Sequence, residues 1–233
     1  MFLILFNPIQ LKTMLTAQLI NQNIPQLKLQ DTVAKAKLLI NDFKLTHLPV
    51  VADKKYLGLI SEEDLLDVED DRTTIEMIQE NFMLIYIQED VHFLNAIGYC
   101  NQHETNVVPV MDKAAEFMGV ITTDYLLKTI GEFAGANEIG GLIVLEMERV
   151  HFSISEISRI VESNDCTILH LNSTTDPVSG ILTVTLHINK KEITSLLATF
   201  ERYEYKVLHQ FGTKIYDDTS DINYRNLMNY LDL

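Results

Sequence analysis

Apolar and polar positions in residues 24–66 predict the order strand, helix, strand, strand, helix. Residues 24–29 form a short extended segment, and Asp31 stands where a helix N-cap is expected. Four apolar residues follow at helical spacing: Val33, Ala36, Ile40 and Phe43. Residues 48–51 and 56–60 predict two strands, and Ser61 begins a second helix.

The same order returns about 60 residues later. Residues 84–87 are extended, and Asp90 is the expected cap of a helix with an apolar stripe. Val107–Met111 and residues 117–121 predict the two strands, and Thr122 begins the last helix. One structural unit is therefore used twice, and the two copies must stack to bury the apolar surface that neither can bury alone.

Short motifs recur at matching places in both copies. Leu48-Pro49-Val50-Val51 and Gly58-Leu59-Ile60-Ser61-Glu62-Glu63-Asp64 correspond to Val108-Pro109-Val110-Met111 and Gly119-Val120-Ile121-Thr122-Thr123-Asp124-Tyr125. On these motifs, residues 14–133 resemble a pair of CBS domains, the motif named after cystathionine β-synthase, with repeats at 14–70 and 71–133.

Residues 138–212 predict the order βαββαβ, the ferredoxin-like arrangement. The strands are residues 142–147, 166–171, Ile181–Ile188 and 205–208. Ser153 and Glu156 form a capping box before the first helix, and Asn189 is the expected cap of the second. The fold class is therefore mixed α and β (α+β): the paired βαββα repeats precede a ferredoxin-like domain.

A hairpin turn centred on Asp176 and Pro177 makes the register of this third segment explicit. It sets Leu171 opposite Leu182, Leu169 opposite Val184, and Thr167 opposite Leu186, which gives one mainly apolar face. The other face then holds five residues: Cys166, His170, Thr183, Thr185 and His187.

By its element order, this segment resembles an ACT domain, a small regulatory module. The Asp-x-x-Gly-type ligand loop of that family is replaced by Glu148-Arg149-Val150-His151-Phe152. A CBS pair followed by an ACT-like domain is similar in architecture to the acetoin-utilisation type of regulatory protein.

The two ends of the chain carry separate expectations. Residues 1–13 are either an upstream extension, from a misassigned start codon, or a short arm that packs on the domain. Residues 213–233 are a tail with a short amphipathic helix at 222–231.

The formal net charge of −15 argues against nucleic-acid binding and against an anionic membrane surface, because both require Lys and Arg. The two cysteines give neither a disulfide framework nor zinc-ligand spacing, which suits a reducing cytoplasm. No apolar run reaches the roughly 18 residues of a membrane span.

The CBS resemblance implies an adenosine-type ligand in the cleft between the repeats. It implies that the Ser or Thr of the turn contacts phosphate, that the Asp contacts ribose hydroxyls, and that adenine lies near the Pro-Val strand. The expected ligand-binding residues are Pro49, Val50, Ser61, Asp64, Pro109 and Thr122. The alternative is that Ser61 and Asp64 are only a helix capping box.

Two departures from the CBS motif restrict the charge of the ligand that the clefts can bind. Tyr125 stands at the position equivalent to Asp64, so the second repeat lacks the ribose carboxylate there. The intervening pairs, Glu62-Glu63 and Thr123-Asp124, contain no Lys or Arg, and a triphosphate would meet repulsion. A weakly charged adenosine compound, or one accompanied by a divalent cation such as Mg²⁺, fits better.

Other groups favour structural interpretations. The acidic residues Asp67, Glu69, Asp70 and Asp71 are better explained as a solvated linker than as a Mg²⁺ or Ca²⁺ site. Cys166 and His187, side by side on the exposed sheet face, are better explained as surface or interface residues than as a metal or nucleophile pair. His47 and His103, near the Pro-Val strands, favour a turn or edge role over pH sensing or ligand contact.

The sequence thus predicts a non-enzymatic cytoplasmic sensor that binds AMP, ATP or S-adenosylmethionine. It acts as a homodimer on an unidentified protein target. The alternative is a ligand-free interaction scaffold with degenerate clefts. An enzyme is disfavoured because no catalytic constellation is present in the remaining residues.

Overall fold

The computed structural model describes residues 14–212, which form two compact units that divide between Ile130 and Gly131. Each unit has its own hydrophobic core. The expectations for residues 1–13 and 213–233 lie outside the described residues. Within the described part of the chain, no helix is long and apolar enough to cross a membrane.

The first unit contains both repeats. The first repeat has helix α1 (Val33–Phe43), strands β1 (His47–Ala52) and β2 (Lys55–Ser61), and helix α2 (Glu62–Leu66). The second repeat has strand β3 (Ile87–Gln88), helix α3 (Phe93–His103), strands β4 (Val107–Met111) and β5 (Phe117–Thr122), and helix α4 (Thr123–Phe133). Two 3-10 helices, Thr16–Leu19 and Ile75–Asn81, lie near the starts of the two repeats, before α1 and β3. The predicted order of elements is confirmed in the second repeat. In the first repeat the strand predicted at residues 24–29 is reduced to a single bridge between Leu27 and Val50, and the helix, two strands and helix that follow are confirmed.

Two predicted helix caps are wrong, each by one or two residues. Thr32 caps α1 by accepting the N–H of Lys35 at 3.3 Å, because the Asp31 carboxylate turns back to Lys28 N–H and pairs with Lys35 Nζ, at 2.9 and 2.7 Å. His92 caps α3, while Asp90 forms an exposed ion pair with Lys113 at 3.2 Å.

The two repeats exchange backbone segments. The N-terminal segment of the second repeat lies on β2, where Leu59 and Met83 are bridged. The N-terminal segment of the first repeat lies on β5, where Asn21 N–H donates to Val120 O at 2.8 Å. Residues Val107 and Met111 of the second repeat also pack in the core of the first. The repeats are thus interlocked through backbone and core, as two stacked halves require.

The second unit is a four-stranded antiparallel sheet with two helices. Its elements are β6 (Gly141–Glu148), α5 (Ile154–Ser163), β7 (Ile168–Thr175), β8 (Ile181–Ile188), α6 (Thr194–Arg202) and β9 (Lys206–Phe211). The strand order is β7-β8-β6-β9, the order of a ferredoxin-like βαββαβ sheet. The mixed α and β fold class is confirmed.

The predicted β7–β8 register is wrong by four residues. Leu171 faces Leu186, not Leu182, because the hairpin loop is centred near Val178. Asp176 Oδ1 accepts the N–H groups of Val178 and Ser179 at 3.0 and 2.6 Å, and Gly180 has a φ of 70°, which favours this later turn. A bulge between Ile168 and His170 also turns Leu169 outwards, where it is 38% exposed.

Helix α6 begins at Thr194, so the predicted cap at Asn189 is wrong. The side chain of Asn189 instead accepts Thr167 N–H at 2.8 Å, and Glu192 Oε1 accepts the N–H of Thr194 at 2.9 Å. The cap at Ser153 is confirmed, since its hydroxyl accepts the N–H of Glu156 at 3.3 Å.

Candidate functional site

Two clefts in the first unit occupy equivalent positions in the two repeats. The Ser61 cleft has a volume of about 310 Å³, and its lining includes Thr46, His47, Ser61, Glu62, His103 and Glu104. The Thr122 cleft has a volume of about 460 Å³, and its lining includes Asn21, Lys44, Asn106, Thr122, Asp124 and Tyr125. Both repeats contribute to each cleft, so each is a site between repeats.

The clefts correspond residue by residue. Ser61 and Thr122 each end the second strand of their repeat and precede a helix. Thr46 and Asn106 each precede the Pro-Val strand, while Lys44 and Glu104 are the left-handed residues that end α1 and α3. One local structure, built twice, therefore forms both clefts.

The predicted ligand residues are divided between several places. Ser61 lines one cleft and Thr122 lines the other. Pro49, Val50 and Pro109 are buried in β1 and β4 and are not among the residues that line the two clefts. Asp64 is half-buried beside Ser61. The contact of these residues with a ligand stays a prediction.

Ser61 and Asp64 satisfy each other in the absence of any ligand. The Ser61 hydroxyl accepts Asp64 N–H at 3.0 Å and donates to the Asp64 carboxylate, which also accepts Ser61 N–H at 3.3 Å. The predicted capping box is confirmed. A phosphate oxygen that accepted from this hydroxyl would have to replace its hydrogen bond to the Asp64 carboxylate.

The two clefts differ in charge. The Ser61 cleft is lined by three carboxylates, Glu62, Glu63 and Glu104, together with two imidazoles, His47 and His103. The Thr122 cleft has one Lys and one Asp, Lys44 and Asp124, together with the exposed ring of Tyr125. An anionic ligand therefore meets less repulsion in the Thr122 cleft.

The two histidines of the Ser61 cleft are held by neighbours. His47 is buried, with 7% of its surface exposed, and its Nδ1 lies 2.9 Å from Thr46 Oγ1. Burial lowers the pKa of His47, and the carboxylate of Asp64 opposes this in part. The ring of His103 lies 4.7 Å from that of Tyr99.

Thr46 and Asn106 were not singled out by the sequence. Their side chains bond to each other and to the backbone of the opposite repeat. The signal was available, because aligning the two Pro-Val strands places both polar residues at the same step before an apolar strand.

The acidic linker residues are paired or exposed. Asp71 bonds to Lys37 Nζ at 2.7 Å, and Asp70 accepts from Arg72 at 3.1 Å. Within residues 14–212, no three His, Cys, Asp or Glu side chains are grouped to hold a metal ion.

The predicted juxtaposition of Cys166 and His187 on one exposed face is wrong. Cys166 is 5% exposed and packs in the core of the second unit, where burial raises the pKa of its thiol. His187 is also buried, and a Cβ added to Gly140 would lie 2.8 Å from its Nε2. Its cross-strand partner is His170.

The second unit has a cavity of about 520 Å³ beside the loop between β6 and α5. Glu146 and Lys206 form an ion pair there, and Tyr205 OH donates to Glu156 at 2.8 Å. Burial raises the pKa of Tyr205 to about 12, with the Glu156 carboxylate adding to the effect.

Comparison with known proteins identifies the first repeat. Residues 17–71 match the family described as the CBS domain. The predicted resemblance to a CBS pair is confirmed by this match together with the repeated order of elements that follows it.

A curated relative is a homoserine O-acetyltransferase from Methanosphaerula palustris, 29% identical over 119 residues. The match covers 50% of this chain, which spans only 24% of the length of that relative.

Three solved structures are similar to part of this chain. A CBS domain pair/ACT domain protein from Thermotoga maritima is 19% identical, covering 52% of this chain and 98% of its own, with a TM-score of 0.46. A putative acetoin utilization protein from Vibrio cholerae is 19% identical, covering 53% and 94%, with a TM-score of 0.46. CBSX2 in complex with AMP is 18% identical, covering 51% and 97%, with a TM-score of 0.43.

Proposed function

We propose that the first unit is a regulatory sensor that binds an adenosine-type ligand in the clefts between its two CBS repeats. The observation that carries the proposal is the pair of equivalent clefts, each lined by the hydroxyl residue of the repeated motif, Ser61 or Thr122. The CBS match over residues 17–71 gives these clefts their regulatory context.

The clefts suit a small molecule in size and in construction. Their volumes of about 310 and 460 Å³ lie within the range of about 300–1,000 Å³ for small-molecule pockets. Met83, His103 and Glu104 reach the Ser61 cleft from the second repeat, while Lys44 and Leu45 reach the Thr122 cleft from the first. A ligand therefore contacts both repeats at once and favours the packing that fits it best.

The difference in charge assigns a ligand class to each cleft. AMP fits the Thr122 cleft, where Lys44 can pair with a phosphate and the ring of Tyr125 can stack on a base. The three carboxylates of the Ser61 cleft disfavour free phosphate, so S-adenosylmethionine, or a nucleotide accompanied by Mg²⁺, fits there. Pro49, Val50 and Pro109 are buried in β1 and β4, and their contact with a ligand is part of this proposal.

The whole chain acts, in this proposal, as a non-enzymatic cytoplasmic homodimer on a protein target that is not identified. The acetyltransferase activity of the curated relative is not part of it, because the chain spans 24% of that protein.

Isothermal titration with AMP, ATP and S-adenosylmethionine tests the proposal. Lys44→Ala should weaken AMP binding about tenfold, because it removes the only basic side chain of the Thr122 cleft among the described residues. The matched control is Lys128→Ala, which removes the same charge from the exposed part of α4. The absence of heat with all three compounds at millimolar concentration would count against ligand binding.

The scaffold alternative is favoured by one observation, the closed capping box of Ser61 and Asp64. If the clefts take no ligand, Ser61→Ala lowers stability through the lost cap and changes no ligand response. Thermal shift with and without the three compounds separates the two functions.

A further inference from the structure

We infer that Thr46 and Asn106 are positioning residues that hold both clefts in shape and connect them to each other. The role in ligand response rests on the proposed function, whereas the role in cleft geometry does not. The two residues are equivalent in the repeat and belong to different clefts, Thr46 to the Ser61 cleft and Asn106 to the Thr122 cleft.

The two residues bond reciprocally across the repeats. Asn106 Oδ1 accepts the N–H and the hydroxyl of Thr46, at 2.8 and 3.0 Å. Thr46 Oγ1 in turn accepts the N–H of Asn106 at 3.1 Å, and Asn106 Nδ2 donates to Lys44 O at 2.8 Å. Each side chain therefore fixes the backbone of the opposite repeat at the entry to its Pro-Val strand.

The backbone carbonyls of the same two residues hold the starts of the motif helices. Thr46 O accepts the N–H of Glu62 at 2.8 Å, at the residue after Ser61. Asn106 O accepts the N–H of Thr123 at 3.0 Å, at the residue after Thr122. Hydrogen bonds thus link the N–H of Glu62, through Thr46 and Asn106, to the N–H of Thr123.

Cleft residues are attached to both ends of this hydrogen-bonded link. His47 Nδ1 lies 2.9 Å from Thr46 Oγ1 on the side of the Ser61 cleft. On the other side, Lys44 has its carbonyl held by Asn106 and is itself a lining residue of the Thr122 cleft. A ligand that shifts Glu62 or Thr123 must therefore also alter the Thr46–Asn106 pair.

Coupling between the two clefts requires a contiguous structural element with an arrangement that a ligand in either cleft can change. Thr46 and Asn106 meet this requirement because both are half-buried, and their polar groups are shielded from bulk water in part. Removing one partner leaves the groups of the other without their hydrogen bonds, which loosens both helix starts together.

Amide hydrogen exchange by NMR tests the geometric role on the ligand-free full chain. Thr46→Val keeps the shape of the side chain but loses the hydroxyl, and it should speed exchange at both Glu62 and Thr123 by about fivefold or more, the lower end of typical coupling between sites. Asn106→Ala should do the same. The N–H of Ala36, within α1, is the internal reference.

Thr46→Ser is the matched control, since it keeps the hydroxyl and should leave both exchange rates within twofold of wild type. The inference is overturned if Thr46→Val speeds Glu62 but leaves Thr123 unchanged, because the effect then stays within one repeat. It is equally overturned if Ala36 accelerates as much as the two helix starts, which is the signature of general destabilisation.

AMP titration provides the ligand arm. If wild type binds AMP, Thr46→Val should weaken binding about fivefold, although Thr46 is not a lining residue of the Thr122 cleft, and Thr46→Ser should restore it. Unchanged affinity in Thr46→Val would refute the connection between clefts. If wild type binds no AMP, the proposed function fails there, and the exchange experiment still decides the geometric role.

Discussion

Leu59 and Met83 exchange two backbone hydrogen bonds, at 2.9 and 2.8 Å, although Leu59 lies in a strand of the first repeat and Met83 in the N-terminal segment of the second. The close approach of these two segments explains a feature of the motif. Gly58 has a φ of 149°, and a Cβ there would lie 2.8 Å from Phe82 Cβ and 3.1 Å from Met83 O. A glycine is therefore required at position 58 because it lets the backbone of the second repeat pack closely against β2.

Gly58→Ala should destabilise the protein by about 2 kcal/mol or more, because the new methyl group meets backbone that cannot move and the φ is unfavourable for alanine. Urea unfolding followed by circular dichroism measures the change. Gly98→Ala in α3 is the control, since a Cβ there has no neighbour within 4 Å. It should stabilise by about 0.5–1 kcal/mol, and equal losses in both variants would contradict the explanation.

Ser61→Ala should cost about 1 kcal/mol of unfolding free energy, because the N–H of Asp64 loses its acceptor. Ser61→Thr keeps the hydroxyl, and its loss of unfolding free energy should be no more than about half of the loss in Ser61→Ala. Chemical denaturation of the three proteins gives the comparison. A loss in Ser61→Thr as large as in Ser61→Ala would show that the hydroxyl is not the source of the stability.

Stability should fall as the pH is lowered below about 6.5 towards the folded pKa of His47. Burial lowers that pKa from its ordinary value of 6.5, so the unfolded chain binds the proton more readily in this window. The stabilising free energy that comes from this lowered pKa is fully present above pH 6.5. The loss of stability between pH 6.5 and the folded pKa of His47 should be absent in His47→Asn, which keeps a nitrogen near the Nδ1 position but does not titrate.

Thermal unfolding between pH 5 and 7 compares the two proteins. His103→Asn is the matched control, because this imidazole lines the same cleft and lies less deeply in the protein. If wild type and His47→Asn lose stability in parallel, other groups must account for the pH dependence.

Both cysteine thiols should react slowly with a thiol reagent at pH 8 in the folded protein. Cys100 and Cys166 are buried, and burial raises the pKa of Cys100 to about 11 and that of Cys166 above its ordinary value. The thiolate is the reactive form, so both burial and protonation protect them. Two thiols should become reactive together on addition of urea; rapid labelling of either one without urea would contradict this placement.

The sequence predicted a helix or strand correctly where the residues of that element alone specify it. The Pro-Val strands and the βαββαβ order follow from apolar periodicity and from turn residues, and the structure confirms them. The cap at Asn189 was wrong because α6 begins only at Thr194, and those at Asp31 and Asp90 were wrong because a neighbouring polar residue, Thr32 or His92, competed successfully for the helix start. Such a competition depends on differences in energy too small for residue type alone to decide.

The β7–β8 register shows a second limit. The sequence offered Asp176-Pro177 as a turn, but the five-residue loop that ends at Gly180 satisfies more backbone groups. The shift by an even number of residues preserved the apolar face of most pairs, whereas the bulge at Ile168 and His170 moved Leu169 out of the core. A bulge has no reliable signature in one strand, because it depends on how the partner strand pairs.

The sequence by itself determined that this protein contains one unit twice, followed by a sheet of different topology, because periodicity and turn chemistry are properties of adjacent residues. Only the tertiary structure decided that Ser61 and Thr122 lie in separate clefts, and that Thr46 of one repeat bonds to Asn106 of the other. Residues 60 positions apart meet only when two repeats pack, and the geometry of that packing is set by the shared core rather than by any local pattern.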